Sequence, residues 1–93
     1  MNVDKAKKRI AKQVAKGFNG YPLIAIEYFG GGPGLATKVV IQFILEEGSE
    51  PQAQQFTSEK DVRNDEAIQT VLLKIIERAD ANSVTEKQGV SVS

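Results

Sequence analysis

The chain of 93 residues has no cysteine, no histidine and no tryptophan, and it contains only six aromatic residues. Without cysteine there is no disulfide, no thiolate metal site and no thiol nucleophile. Without histidine the chain lacks the commonest general base, the commonest metal ligand and the side chain that titrates near neutral pH. These absences exclude most familiar kinds of catalytic and metal centre.

Long apolar runs are missing as well. The longest uninterrupted ones, residues 23–26 and 39–41, have the length of a β-strand and are far too short to span a bilayer. The basic segment at residues 5–9 is not followed by an apolar run of signal-peptide length. We therefore expect a cytoplasmic protein that makes no membrane contact and has one modest core.

Apolar spacing predicts two helices and three strands. Apolar residues recur at three- and four-residue steps along residues 2–17 and again along 61–79, as in helices with one buried stripe. Gly17 stands where a left-handed cap would end the first helix. Branched and aromatic residues, together with weak polar alternation in the last segment, predict the strands. The expected strands are residues 21–29, 35–46 and 52–57, and Ser58 to Asp61 has the pattern of a helix start.

The resulting fold class is α+β, in the order α-β-β-β-α. A three-stranded antiparallel sheet is expected, with the two helices packed on one of its faces. Residues 1–82 should form this single domain. Residues 83–93 are polar and are expected to be a flexible tail, so that truncation after Asn82 would leave the melting temperature nearly unchanged. The alternation at 90–92 leaves a short terminal strand open.

Strand alternation assigns the sheet residues to two faces. The core face under the helices is expected to hold Ile24, Ile26, Tyr28, Val39, Ile41, Phe43 and Leu45. The opposite face carries more apolar side chains than a hydrated surface needs, which is typical of an interaction surface. The expected interface residues are Leu23, Glu27, Phe29, Lys38, Val40 and Ile44, with Ala25 and Gln42 among them. Two alternatives stay open: the tail covers this face, or the two faces are assigned in reverse.

Zero net charge conceals a strong asymmetry along the chain. Residues 1–20 carry six basic and one acidic side chain, a net charge of +5, whereas residues 21–93 carry six basic and eleven acidic ones, a net charge of −5. A basic helix face of this kind can contact phosphates, although such faces more often lie in solvent, and we favour the solvated interpretation. The candidate nucleic-acid-binding residues are Lys5, Lys8, Arg9, Lys12 and Lys16.

The remaining motifs do not indicate catalysis. The glycine-rich segment at 30–34 is better explained as a hairpin loop than as a phosphate cradle, because Lys38 follows four residues later and a strand, not a helix, comes next. Three glutamates at positions 46, 47 and 50 are too few for an oxygen-ligand calcium loop. Glu27 has no evident catalytic partner, and a cross-strand contact with Lys38 would make it structural. We therefore expect no enzyme activity, no cofactor, no metal site and no small-molecule substrate.

The order of elements resembles that of the double-stranded-RNA-binding domain. Tyr21-Pro22 at the first strand, Pro33-Gly34 in the hairpin loop and the helix at 61–79 occupy places comparable to those in that family, and the resemblance spans residues 2–79. The family holds phosphates with lysines at the start of its second helix, whereas residues 58–66 here carry four acids against two bases. The family's hairpin-loop histidine is also missing. The resemblance implies the topology and does not extend to RNA binding.

Two functions follow from these patterns. The first is a small non-catalytic protein-interaction module that binds itself or another protein through the open sheet face. The second is a weak nucleic-acid-binding protein that uses its basic first helix. Salt separates the two, because phosphate binding weakens steeply as the salt concentration rises and apolar association does not.

Overall fold

The computed structural model describes residues 2–32, 34–87 and 89–92. Met1, Pro33, Gln88 and Ser93, which the assignments above include, lie outside the described residues. The helices are α1 (Val3–Ala15) and α2 (Glu66–Ala79), with a short 3₁₀ turn at Val62–Asn64 before α2. The strands are β1 (Leu23–Gly30), β2 (Lys38–Ile44), β3 (Gln52–Thr57), β4 (Ser83–Glu86) and β5 (Ser91–Val92).

The α+β class is confirmed, but the sheet is mixed and has more strands than expected. Its order is β3-β2-β1-β4, and β5 also pairs with β1. The pairs β1–β2 and β2–β3 are antiparallel, whereas β4 and β5 both run parallel to β1. The expectation of three antiparallel strands was therefore wrong in number and in type. The physical reason is that α2 acts as a crossover connection, which returns the chain to the sheet in the parallel direction.

The segment after residue 82 is part of the sheet over much of its length, which corrects the domain boundary expected at that residue. Val84 is only 1% exposed and lies in the core cluster. The buried hydroxyl of Ser83 accepts a hydrogen bond from the Asn19 amide at 2.7 Å and donates one to the Gly20 carbonyl at 2.7 Å. The short terminal strand that was left open at 90–92 is present as β5.

The core lies between the sheet and the two helices, on the face that alternation predicts. Even-numbered residues of β1 are buried, and odd-numbered ones are half-buried. The buried cluster joins sheet and helix residues: Ile24, Ile26, Tyr28, Val39 and Ile41 with Ile10, Leu72, Leu73 and Ile76. Both helices therefore pack on this one face. Leu45 is an exception to the predicted core, because β2 ends at Ile44 and leaves its side chain 57% exposed.

The helix ends show one correct and one wrong prediction. Gly17 follows α1 with a φ of 75°, the left-handed conformation predicted for its cap. The second helix begins at Glu66 and not at residue 61, and Asp65 is its N-cap, accepting from the Ile68 amide at 3.1 Å. Asp61 caps the preceding 3₁₀ turn by accepting a hydrogen bond from the Arg63 amide. Val62, the first residue of that turn, is fully buried, so the chain turns here before the helix starts.

The hairpin loop between β1 and β2 makes a close approach at Gly30. A side-chain Cβ at this position would collide with the backbone carbonyl of Leu35. The amide of Thr37 donates to the Phe29 carbonyl at 2.9 Å, which closes the loop against the end of β1. Glycine at position 30 is therefore a steric requirement of the hairpin.

The packing of β4 gives a direct test of the revised boundary. Val84→Ala should lower the free energy of unfolding by about 2 kcal/mol, because two buried methyl groups are lost and a cavity remains. Val92→Ala is the matched control: Val92 is 80% exposed, so the effect should stay within about 0.5 kcal/mol. Urea denaturation measures both variants. Equal stabilities would show that β4 contributes nothing to the packed sheet.

Candidate functional site

The six expected interface residues lie on one face of the sheet, the face opposite the helices. In the β1–β2 register, Leu23 pairs with Ile44, Glu27 with Val40 and Phe29 with Lys38. All six are half-buried, in contrast with the fully buried residues beneath the helices. We call this surface the open face; it also includes Ala25 and Gln42, and Ala53, Gln55 and Thr57 of β3. Its location is as expected, and its role as an interface stays a prediction.

The charged groups of the open face are arranged differently from the expectation. Glu27 accepts hydrogen bonds from Ser91 Oγ at 2.7 Å and from Lys87 Nζ at 3.2 Å, and not from Lys38. These contacts hold the pKa of Glu27 below its ordinary value. Lys38 instead lies 5.0 Å above the Phe29 ring, within the range of a cation–π interaction. The register explains the difference, because Lys38 is opposite Phe29 and two positions away from Glu27.

A shallow groove of about 300 Å³ runs along the open face between β2 and β4. Apolar atoms of Ala25, Phe29 and Val40 lie in it, and Thr85 and Lys87 form its far side. The C-terminal segment therefore borders the open face through strand pairing at its edge. The alternative in which the tail folds back over the whole face is not what the described residues do, since β4 and β5 pair side by side with β1.

The basic first helix presents all of its cations to solvent. Helix α1 packs through Ala6 and Ile10; its remaining faces carry four of the candidate residues together with Lys7, and the fifth, Lys16, is its C-cap. Lys5, Lys8, Arg9, Lys12 and Lys16 are all exposed. Within residues 2–32, 34–87 and 89–92 there are two ion pairs, Arg63–Asp61 and Lys87–Glu27, and neither involves α1.

The 3₁₀ turn before α2 is capped by a tightly bonded acidic group. Asp61 accepts from Arg63 Nε at 2.8 Å, from the Arg63 amide at 2.9 Å and from the Ala36 amide at 3.3 Å. The guanidinium of Arg63 holds the pKa of Asp61 well below its usual range. The charge of Arg63 is thereby largely compensated, so this arginine adds little to the positive field of the neighbouring α1.

A second site, which was not among those predicted, is a cavity of about 440 Å³ on the helix side of the sheet. It lies where α1, the end of β1, the 3₁₀ turn, α2 and the segment after β4 meet. Tyr28 and Gln69 are buried at its floor, Ile10 and Ala11 form an apolar wall, and Glu86 lies beside Tyr28. The other lining residues are Lys7, Lys8, Arg63, Lys87 and Gly89.

Hydrogen bonds connect the polar groups at the floor of this cavity. Gln69 Nε2 donates to the Tyr28 hydroxyl at 3.2 Å and to the Val62 carbonyl at 3.0 Å. The Tyr28 hydroxyl donates to Glu86 Oε2 at 3.5 Å, a long contact. Burial raises the pKa of Tyr28 to about 12, so its hydroxyl stays protonated and available as a donor. Burial also raises the pKa of Glu86, although its contacts with Tyr28 and Lys7 oppose the shift.

One signal in the sequence pointed toward this cavity. Gln69 is a polar residue of α2, but it is only 1% exposed. It lies three residues before Leu72 and seven before Ile76, both buried, which is the spacing of a single helix face. A glutamine at a core position of a helix requires buried hydrogen-bond partners, and that requirement could have revealed a polar network.

Comparison with known proteins gives no relative: no family model, no curated protein and no solved structure matches this chain. In the described part of the chain, neither helix has the length and apolar character needed to cross a membrane. The same residues contain no group of three acidic side chains placed to hold a metal ion.

The burial of Glu86 predicts a specific pH dependence of stability. Because its pKa is raised in the folded chain, the folded state binds more protons here than the unfolded state does. Ionisation of this carboxyl therefore lowers the free energy of unfolding as the pH rises above 4.5, the ordinary pKa of a glutamate side chain. Glu86→Gln should make the protein more stable than the wild type at pH 7, with a smaller gain near pH 4. Urea denaturation at the two pH values measures the gain.

The exposed Glu77 provides the control for this measurement. Glu77→Gln also removes one negative charge, but from an exposed position on α2. Its effect on the free energy of unfolding should therefore be small at both pH values. A gain from Glu86→Gln that does not grow with pH would contradict the sign derived from its burial.

Proposed function

We propose that the protein is a small non-catalytic interaction module that associates with a second copy of itself through the open face. The observation that carries the proposal is the row of apolar side chains on that face, Leu23, Phe29, Val40 and Ile44, which neither helix covers. Apolar groups gathered on one side of a small sheet gain free energy when a partner removes them from water.

The charge distribution favours a second copy as the partner. The chain has a net charge of zero, so two copies do not repel one another as wholes. The cations of α1 lie on the helix side of the sheet, and a face-to-face dimer would keep the two basic helices on its outer surfaces. On the open face, Glu27 and Lys38 have opposite charge, and a two-fold axis would allow each to face its counterpart.

The size of the open face indicates a weak association. Four strands with a mean length of about 6 residues form a face of about 20 Å by 19 Å at standard strand geometry. Two such faces would bury on the order of 800 Å², below the about 1,200–2,000 Å² of stable interfaces. The dimer should therefore exchange rapidly and be populated at high micromolar protein concentration.

Sedimentation velocity tests the self-association. The wild type should form a dimer whose fraction rises with concentration, and Val40→Lys with Ile44→Lys should give a folded monomer, because two cations would be placed in the apolar contact. Leu45→Lys is the matched control: it adds a cation to the next residue, which is exposed and outside the open face. A wild type that stays monomeric at high micromolar concentration would rule out the dimer.

A second candidate function, nucleic-acid binding, is favoured by one observation. The five cations of α1 and Lys16 at its C-cap are exposed, and both ion pairs among the described residues lie elsewhere. Such a helix can release several counterions when it meets phosphate. The acids that surround the start of α2 oppose close approach, and α1 has no aromatic residue on which a base could stack. Binding should therefore be weak and independent of nucleotide sequence.

Fluorescence anisotropy with labelled RNA and DNA duplexes tests this second function. Binding should be measurable at low salt, vanish near about 150 mM salt, and be lost at all salt concentrations in Lys12→Glu with Lys16→Glu. Sub-micromolar affinity at about 150 mM salt, abolished by the same pair of substitutions, would rank nucleic-acid binding above self-association.

A further inference from the structure

The cavity on the helix side of the sheet has a polar floor that includes the Glu86 carboxyl group, an apolar wall and a cationic rim. We propose that it binds a small organic anion. The carboxylate or phosphate group of the ligand is held by Lys7 and Lys8, and a hydrogen-bond donor at its other end is held by Glu86. This function is independent of the open face, which lies on the other side of the sheet.

The rim is cationic because two of its four basic residues form no ion pair among the described residues. Arg63 is bound to Asp61, and Lys87 is bound to Glu27. Lys7 and Lys8 form no ion pair with any residue in the described ranges, and both are exposed at the mouth of the cavity. A ligand anion placed between them would meet two ammonium groups without breaking an ion pair, and it would share Lys7 with the Glu86 carboxylate, on which Lys7 also acts.

The floor favours an uncharged group that can donate a hydrogen bond. Glu86 offers two carboxylate oxygens, and its contact with the Tyr28 hydroxyl, at 3.5 Å, leaves most of their accepting capacity unused. The side-chain amide of Gln69 donates a hydrogen bond to the Tyr28 hydroxyl, which holds the hydroxyl in position. A hydroxyl or amino group on the ligand would complete the bonding of Glu86, whereas a second anion would be repelled by it.

The volume and the walls specify what lies between the two ends. About 440 Å³ is within the range of small-molecule sites, which bury a ligand of metabolite size. Ile10 and Ala11 supply an apolar wall of the cavity that Tyr28 also lines, so the middle of the ligand should be a ring or a short hydrocarbon segment. The ligand class is thus an apolar scaffold with an anion at one end and a donor at the other.

Amide NMR titrations of the full chain with four probes test the proposal. 4-Aminobenzoate and 4-aminophenyl phosphate have both the anion and the donor, benzoate lacks the donor, and 4-aminobenzamide lacks the anion. The first two should shift the amides of Ala11, Tyr28 and Glu86, and the tighter of them identifies the preferred anionic group. Benzoate should bind about two- to tenfold more weakly, from loss of one hydrogen bond. 4-Aminobenzamide should bind up to about fivefold more weakly, from loss of the solvent-exposed ion pairs.

Two sets of variants test the two ends of the binding site one at a time. Lys7→Gln with Lys8→Gln should remove the preference for anionic probes, while Glu86→Gln should remove the preference for probes with a donor. Lys12→Gln with Lys16→Gln is the matched control, since these lysines lie on the same helix and outside the cavity. The proposal is overturned if all four probes bind equally, if no cavity amide shifts at millimolar probe, or if the control pair weakens binding as much as the Lys7 and Lys8 pair.

Discussion

The pairing of β1 along both of its edges is the constraint on which the rest of the structure depends. Antiparallel bonding to β2 and parallel bonding to β4 and β5 place β1 in the interior of the sheet. Its even-numbered residues are consequently fixed under the helices and its odd-numbered residues on the open face. A slip of one residue would exchange the two sets, bury Glu27 beneath the helices and remove Tyr28 from the cavity. Both surfaces therefore depend on the register of one strand.

The first basic residues of α1 are placed where they do not stabilise the helix, whereas Lys12 in its last turn is favourably placed. Lys5 lies in the first turn, near the positive end of the helix dipole, where a cation is unfavourable, and Lys7 and Lys8 follow in the second turn. Asn2 caps the helix by accepting from the Lys5 amide at 2.9 Å, and packing of Ile10 in the core holds it to the sheet. Neither the cap nor the packing of α1 therefore depends on the ammonium groups of its first two turns.

The fold class, both helices and the first three strands could be predicted because their apolar spacing extends over six or more residues each. The open face followed from the same local alternation. Strand β4 could not be predicted in this way, since Ser83–Glu86 contains one apolar residue and is held by pairing with β1. The start of α2 was misplaced because Ser58 and Asp61 fit a helix-capping pattern that Asp65 fulfils. The cavity depends on contacts of Tyr28 with Gln69, 41 positions later, and with Glu86, 58 positions later. No local pattern contains contacts at such separations.

Glu86, the last residue of β4, and Lys87, which follows it, separate the groove on the open face from the cavity on the helix side. Both residues line both of these sites. Consecutive strand residues point to opposite faces, so Glu86 meets Tyr28 on the inner side while Lys87 meets Glu27 on the outer side. A substitution at either position can affect both surfaces, so a change in the dimer fraction at Glu86 or Lys87 does not by itself identify the open face as the interface, and only the choice among probes reports on the cavity alone. Substitutions at Val40 and Ile44 reach only the open face, and substitutions at Lys7 and Lys8 reach only the cavity. A loss of dimer without loss of anion binding, or the reverse, would therefore establish that the two surfaces work independently.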